Sequence, residues 1–314
     1  MPDLDSATFW AITCYFNPAG YRRRLDNYRI FRQRLKVPLV AVELSFDKKF
    51  QLASGDADIL VQLHSSAVLW QKERLLNVAL KSLPDVCDKV AWLDCDILFE
   101  SEDWAERAIR ALDEFALLHL FRERKELPMD FTPDTAGSSK ATLEAQSLVY
   151  QLAIGGITTQ EISVPTSPLK GSTCGLAWAS RRDILAEHGL YDACIVGGGD
   201  KAILSAALGL FDDFAQTREM NPRRTEHYLA WAKPYFNRVR GHVGSVPGRV
   251  FHLWHGDLNN RRLLERNRLF AQFDFDPASD IALDENGCWG WNSDKTEMHA
   301  FVRQYFESRK EDGM

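Results

Sequence analysis

Four Asp-x-Asp triplets occur in this chain, Asp3/Asp5, Asp56/Asp58, Asp94/Asp96 and Asp274/Asp276, so the triplet alone selects nothing. Context does. Only Asp94/Asp96 closes a strongly apolar run, Lys89-Val90-Ala91-Trp92-Leu93, that reads as a strand of an α/β region. Ligands of open α/β sheets bind at the carboxyl ends of strands. Two carboxylates one residue apart at that place can hold a hard divalent cation, and the cation can bridge a nucleotide's diphosphate and neutralise charge on a leaving phosphate. The competing reading is a solvated loop that caps the next helix, with Ser101 as its N-cap.

Two further constellations carry chemistry. Phe251-His252-Leu253-Trp254-His255-Gly256 sets two histidines three residues apart. If residues 249–254 are a strand, His252 and His255 point to opposite faces, so at most one is expected to reach a given metal; His255, ahead of a glycine turn, is the better placed. Mixed carboxylate and imidazole ligation suits Mn²⁺ better than Mg²⁺, with Mg²⁺ as the second choice. A structural histidine capping a turn is the alternative. Gly197-Gly198-Gly199-Asp200 lets an acceptor pass close to the backbone, with Asp200 as general base on its hydroxyl. Its alternative is a flexible turn whose Asp caps a helix over 201–208.

The elements that must position these residues alternate. Residues 9–15 read as a buried strand ended by Asn17-Pro18-Ala19-Gly20, followed by a basic helix over 21–35. Residues 37–44 and 59–61 read as strands. Leu69, Leu76, Leu80 and Leu83 mark one apolar face of a helix that Pro84 ends. The alternation predicts an α/β fold with a mostly parallel sheet covered by helices on both faces. Residues 122–170, rich in Pro, Ser, Thr and Gly, break the rhythm and read as an irregular insertion or mobile lid. A strand over 173–179, a helix from Ser180, a strand over 249–254 and a helix over 258–270 complete the expectation.

Composition agrees with a globular enzyme: 314 residues, 45% hydrophobic, 26% charged. No apolar run is long enough for a membrane helix, and the acidic N-terminus lacks the pattern of a signal peptide, so no membrane insertion and a cytoplasmic location are expected. Six cysteines without a C-x-x-C pair read as free thiols. The net charge of −6 is sorted: residues 21–36 hold seven Arg/Lys against Asp26, and 218–249 hold seven against Glu219 and Glu226. Such sorting suggests an anionic ligand.

In order along the chain, Trp70-Gln71-Lys72-Glu73-Arg74-Leu75-Leu76-Asn77, then Trp92-Leu93-Asp94-Cys95-Asp96-Ile97-Leu98, then Gly175-Leu176-Ala177-Trp178-Ala179-Ser180, Gly189-Leu190-Tyr191 and Gly197-Gly198-Gly199-Asp200, resemble the motifs of β-1,4-galactosyltransferases and of bacterial chondroitin-polymerase-type transferases. The resemblance implies a GT-A (Rossmann-like) glycosyltransferase fold that binds a nucleotide sugar, usually UDP-linked, with Mn²⁺. It implies Asp96 as the main metal ligand, with His255 or His252 completing the set, and Asp94 beside it. Trp70 falls where the family places a ring near the uracil, Lys72 and Arg74 where it places cations toward the diphosphate, and Asn77 closes the same motif. Asp200 matches the catalytic base, which implies inversion at the anomeric carbon. The organisation expected is a nucleotide-sugar-binding half (1–121), the insertion (122–170), an acceptor half with the late histidine (171–270) and a C-terminal tail (271–314). The family's Glu before the base is Gly199 here, and its flanking tryptophans are Ile195 and Val196.

For the acceptor, Arg223, Arg224, Lys233, Arg238 and Arg240 interleave with Tyr228, Trp231, Tyr235 and Phe236. Three readings follow: an amphipathic helix with basic outer residues, an aromatic platform for a glycan, or a groove for DNA carrying hydroxymethylated bases. A metal-dependent nucleotidyltransferase and a non-catalytic nucleotide- or glycan-binding relative are the alternatives of a different class.

Overall fold

A computed structural model describes residues 8–131, 141–163, 171–261 and 265–313. Its strands are β1 (Phe9–Phe16), β2 (Leu39–Ser45), β3 (Ile59–His64), β4 (Lys89–Leu93), β5 (Ile97–Phe99), β6 (Leu117–His119), β7 (Glu123–Glu126), β8 (Leu143–Ser147), β9 (Ser172–Thr173), β10 (Ala177–Arg181), β11 (Val243–Ser245), β12 (Arg249–His252), β13 (Ile281–Leu283) and β14 (Trp289–Trp291). Seven of them form the main sheet in the order β11-β6-β10-β4-β1-β2-β3. β3, β2, β1 and β4 run parallel, and β10 is antiparallel to both of its neighbours. The mostly parallel α/β sheet expected from the alternation is observed.

Apolar residues alternate between two covered faces. Ile12, Val40, Val42, Val90 and Trp92 face the helix Lys72–Lys81 through Leu75, Leu76 and Ala79. Phe9, Ala11, Tyr15, Leu39 and Ala41 face the helix Arg22–Arg34 through Tyr28 and Phe31. Burial on both sides explains why these strands read as nearly continuous apolar runs. Strand order reverses between β1 and β4, which makes the carboxyl ends of those two strands the switch point where a crevice opens. The Thr13 hydroxyl donates to the Leu93 carbonyl at 2.7 Å and ties the two strands together just before it.

The second sheet, β5-β12-β7-β8-β9, is where sequence and structure differ most. Residues 122–170 were expected as an irregular lid, yet their described part contains β7, β8 and the helices Leu148–Ala153 and Thr159–Ser163. The pattern hid them because β7 is Glu-Arg-Lys-Glu and β8 is Leu-Glu-Ala-Gln-Ser, polar strands with little apolar alternation. Residues 132–140 and 164–170 of that segment lie outside the described residues. Residues 271–314 are likewise no tail. They fold into the hairpin β13–β14 and the helix Thr296–Ser308, whose Met298, Val302 and Phe306 enter the main core.

The basic segment near 218–249 proves to be the helix Pro222–Val239. Tyr228 and Tyr235 are fully buried, and Trp231 stacks on Tyr235 while its indole N–H donates to the His188 carbonyl. The Tyr228 and Tyr235 faces are consumed in packing, so these two rings offer no platform to a glycan or a base. The amphipathic-helix reading is the one observed. All six cysteines are free thiols, and no helix among the described residues is long and apolar enough to cross a membrane.

Phe306 stacks on Trp70 with ring centroids 6.1 Å apart and meets Phe16 edge-on. Removing it opens a cavity under the site, so Phe306→Ala should lose about 3–5 kcal/mol of stability. Urea unfolding would register this as a lower midpoint at an unchanged slope; an unaltered midpoint would show the C-terminal helix to be dispensable.

Candidate active site

A cavity of about 1060 Å³ opens at the β1/β4 switch point. The corner that holds Asp96 is built by strand pairing. In the second sheet β12 lies between β5 and β7, with His252 in register with Ile97 on one side and Glu126 on the other. Asp96, one residue before Ile97, therefore arrives beside His252. The strand stops at His252, and the Leu253 amide donates to the Asp96 carbonyl at 2.8 Å. Beyond this point strand alternation no longer applies, and His255, just ahead of the turn at Gly256 (φ +86°), lies on the same side as His252. The opposite-face expectation for the two histidines is thus overturned: His252 Nε2 is 3.5 Å and His255 Nε2 3.3 Å from Asp96 oxygens, and the two nitrogens are 3.2 Å apart.

These three residues each offer a ligand atom within 4.8 Å of the others. The donor set fits a divalent ion on further grounds. Asp96 Oδ1 is buried without a hydrogen-bond partner. Each imidazole turns its other nitrogen to a carboxylate, His252 Nδ1 to Glu126 at 2.6 Å and His255 Nδ1 to Glu311 at 3.3 Å. Outer carboxylates of this kind orient metal-binding imidazoles and raise their basicity. Glu126 is in turn paired with Arg124, and Glu311 with Arg24 and Arg309.

Without an ion, the electrostatics of this corner are uneven. Burial disfavours the Asp96 carboxylate, but His255 and His252 outweigh it and hold its pKa well below the usual range. Burial and then Arg261, 2.9 Å from its Nε2, push His255 down to about 3. Burial acts the same way on His252, yet Glu126 and Asp96 prevail and raise it.

Asp94 has a different environment from Asp96. Its side chain meets Lys72 Nζ at 2.5 Å, and the same nitrogen reaches Asp200 Oδ2 at 2.9 Å. Burial lifts the Asp94 carboxyl to about 6 despite Lys72, and the two carboxylates hold the ammonium well above its ordinary value against its own burial. Asp200 sits in the first turn of the helix Gly199–Ala207, which starts earlier than expected, and it makes no capping bond to that helix. Its Oδ1 is buried and unpartnered.

Gly199 has a specific reason to be glycine: a Cβ there would lie 2.1 Å from Glu73 Oε1. The space that a side chain at 199 would use is filled by the Glu73 carboxyl of the neighbouring helix. Burial raises Glu73 to about 8, with Asp200 adding to the shift and Lys72 opposing it.

Of the remaining sequence candidates, Trp70 lines the cavity with its ring packed on Phe306. Arg74 and Asn77 do not line it. Arg74 pairs with Asp192 at 3.1 Å, and Asn77 bonds the Leu190 backbone and Asp192, so together they pin the 189–192 turn to the helix Lys72–Lys81. Of the three arginines 22–24, only Arg24 lines the cavity. Sequence reading missed Glu126, Glu311, Arg261 and Arg309, which come from polar strands and from segments far along the chain without a motif of their own.

No family model matches this chain, and no curated protein does. Among solved structures it is similar to glucosyl-3-phosphoglycerate synthase from Mycobacterium tuberculosis in complex with Mn²⁺, UDP and phosphoglyceric acid, at 12% identity over 89% of this chain and 84% of that one, TM-score 0.41. A second complex of that synthase, with Mn²⁺, UDP and glucosyl-3-phosphoglycerate, gives 12% identity, 89% and 86% coverage and a TM-score of 0.43. S. aureus TarS 1–349 with UDP-GlcNAc gives 10% identity, 96% and 72% coverage and a TM-score of 0.41. Likenesses of this degree carry no conclusion about activity.

A carboxyl raised in the folded state favours folding less as pH climbs. With Glu73 moved from 4.5 to about 8, its contribution is greatest below 4.5 and is lost as pH rises toward 8. The difference in stability between wild type and Glu73→Gln, followed by thermal unfolding from pH 4.5 to 8, should therefore shift in favour of the variant as pH rises. Parallel profiles would show that Glu73 ionises normally.

Proposed function

We propose that this chain is a metal-dependent, inverting glycosyltransferase that takes its sugar from a nucleoside diphosphate donor, UDP-linked by preference, and passes it to an acceptor hydroxyl. The observation that carries the reading is the convergence of Asp96, His252 and His255, each imidazole backed by a carboxylate, in one cavity with Asp200.

Asp96, His252 and His255 would hold the ion, and a carboxylate with two imidazoles suits Mn²⁺ better than Mg²⁺. When bound, the ion would supply positive charge to the donor's diphosphate. Arg261, beside His255, adds a fixed cation to the same corner. Asp200 has the form a general base needs. Lys72 fixes Oδ2, and Oδ1 is left to accept the proton of the acceptor hydroxyl. As the acceptor oxygen bonds to the anomeric carbon, the bond from carbon to the diphosphate oxygen breaks and the diphosphate leaves with the electron pair. Preformed positive charge at that point is where catalysis gains most. Trp70 on the cavity wall offers a ring for the nucleobase. Arg74 and Asn77 support the scaffold in this reading rather than touching the donor.

Calorimetry with UDP tests the donor site. Binding should require Mn²⁺, vanish with EDTA and vanish in Asp96→Ala. Glu126→Gln, which loosens His252 without removing a ligand, should weaken Mn²⁺ by roughly 10–100-fold. UDP binding indifferent to metal and to Asp96 would overturn the assignment.

Asp200→Asn separates binding from chemistry. It should bind UDP and Mn²⁺ as the wild type does while losing transfer by ~10²–10⁴-fold. The product to assay is the nucleoside diphosphate; release of pyrophosphate instead would identify a nucleotidyltransferase, and an active Asp200→Asn would remove the base.

A further inference from the structure

Arg218 and Arg266 take no part in the chemistry above, yet both face the cavity beside Asp200. They stand over consecutive glycines. A Cβ at Gly197 would lie 3.2 Å from Arg266 Nη2, and one at Gly198 would lie 3.1 Å from Arg218 Nη2. Both glycines have positive φ, +84° and +105°, so the backbone here is bent in a way that other residues rarely adopt, and the missing side chains leave room for the two guanidinium groups.

No carboxylate among the described residues pairs with either charge. Arg266 is 5% exposed and its Nε has no hydrogen-bond partner; it lies over the Tyr305 ring, interacts with the Tyr305 hydroxyl, and its Nη1 donates to the Arg261 carbonyl at 3.4 Å. Arg218 lies over the Phe214 ring. Neither forms an ion pair with a carboxylate among the described residues, whereas Arg24, Arg74, Arg124 and Arg249 all do. Glu219 and Glu265 also border the cavity, but they are exposed and pair with neither arginine. A third cation, Lys201, lines the same wall. Burial lowers the pKa of all three.

Cations gathered in a buried wall are unfavourable unless an anion completes them. Guanidinium forks match phosphate geometry and bind it through paired charge-assisted hydrogen bonds. In the function proposed above, the donor's diphosphate is met by the ion at Asp96, His252 and His255 and by Arg261, none of which belongs to this pair. We propose that Arg218 and Arg266, with Lys201, form a second anion subsite that holds a phosphate group of the acceptor, so that the acceptor is a phosphorylated compound rather than a neutral glycan. The proposal rests on the glycosyltransferase reading for the word acceptor; the anion site itself does not.

The test is calorimetric titration of inorganic phosphate into the full chain, alone and saturated with UDP and Mn²⁺, with acetate as the carboxylate comparison. Phosphate should bind in both states and more tightly than acetate. Arg218→Gln and Arg266→Gln should each weaken it by about tenfold or more, the range of a lost charge-assisted bond, while UDP–Mn²⁺ affinity changes by less than about twofold. Arg303→Gln, exposed and outside the cavity, should change neither. Circular dichroism melts check folding, and Arg218→Gln, at a less buried position than Arg266, carries the test if Arg266→Gln does not fold. Absent phosphate binding, stronger acetate binding, or phosphate expelled by UDP–Mn²⁺ with Arg218→Gln weakening UDP equally would overturn the subsite. Arginine-dependent phosphate binding without any UDP–Mn²⁺ binding would leave the subsite standing and sink the transferase reading.

Discussion

The pairing of β12 between β5 and β7 is the constraint from which the rest of the site follows. A shift of one residue in either ladder would turn His252 to the other face of the sheet and part it from both Asp96 and Glu126. The main sheet cannot supply this convergence, because β4 ends at Leu93 and delivers only the Asp-Cys-Asp corner. The small sheet brings the imidazole and its carboxylate to that corner, and the Leu253–Asp96 backbone bond fixes the two loops against each other. A polar strand such as β7 is tolerated here because its charges are matched: Glu126 lies between His252 and Arg124.

Two aspartates separated by one residue acquire opposite electrostatic characters from that arrangement. Asp96 is surrounded by imidazoles and held well below the ordinary carboxylate range, as a metal ligand requires. Asp94 shares Lys72 with Asp200, and burial still lifts it to about 6. Lys72 thus belongs to the carboxylates in this state. Its bond to one oxygen of Asp200 fixes the side chain and leaves the other oxygen as the only open acceptor. A carboxylate held on one side and free on the other can take a proton from a single direction.

The main sheet was legible in the sequence because its strands are covered on both faces and its helices carry apolar stripes. β4 is found at its expected bounds and β1 within one residue of them. The second sheet was not legible. Its strands carry charge at positions where alternation is normally apolar, since the pairing partners of those charges lie more than a hundred residues away, as Glu126 does from His252. The site followed the same division. Asp96, Asp200 and the histidines could be singled out by local context, but Arg74 and Asn77 followed a motif whose residues here hold a turn. The convergence of both histidines depended on where one strand stops, which no periodicity predicts. Tyr228 and Tyr235 show the reverse error, since aromatics among arginines look like a binding face until a neighbouring helix is seen to cover them.

The glycine run accounts for its own departures from the family that the sequence resembles. A carboxyl on residue 199 is impossible while Glu73 fills that space, and Glu73 keeps a carboxyl beside Asp200 from a different element. Because Gly197, Gly198 and Gly199 all lack side chains, three foreign groups can crowd the backbone: Arg266, Arg218 and Glu73 in turn. The backbone chemistry of the motif is retained while the groups above it are exchanged. Two of the three newcomers are cations that pair with no carboxylate among the described residues, and the third is held largely neutral near pH 7 by burial, so it does not neutralise them. No carboxylate among the described residues balances this wall, which leaves it suited to an anion from outside.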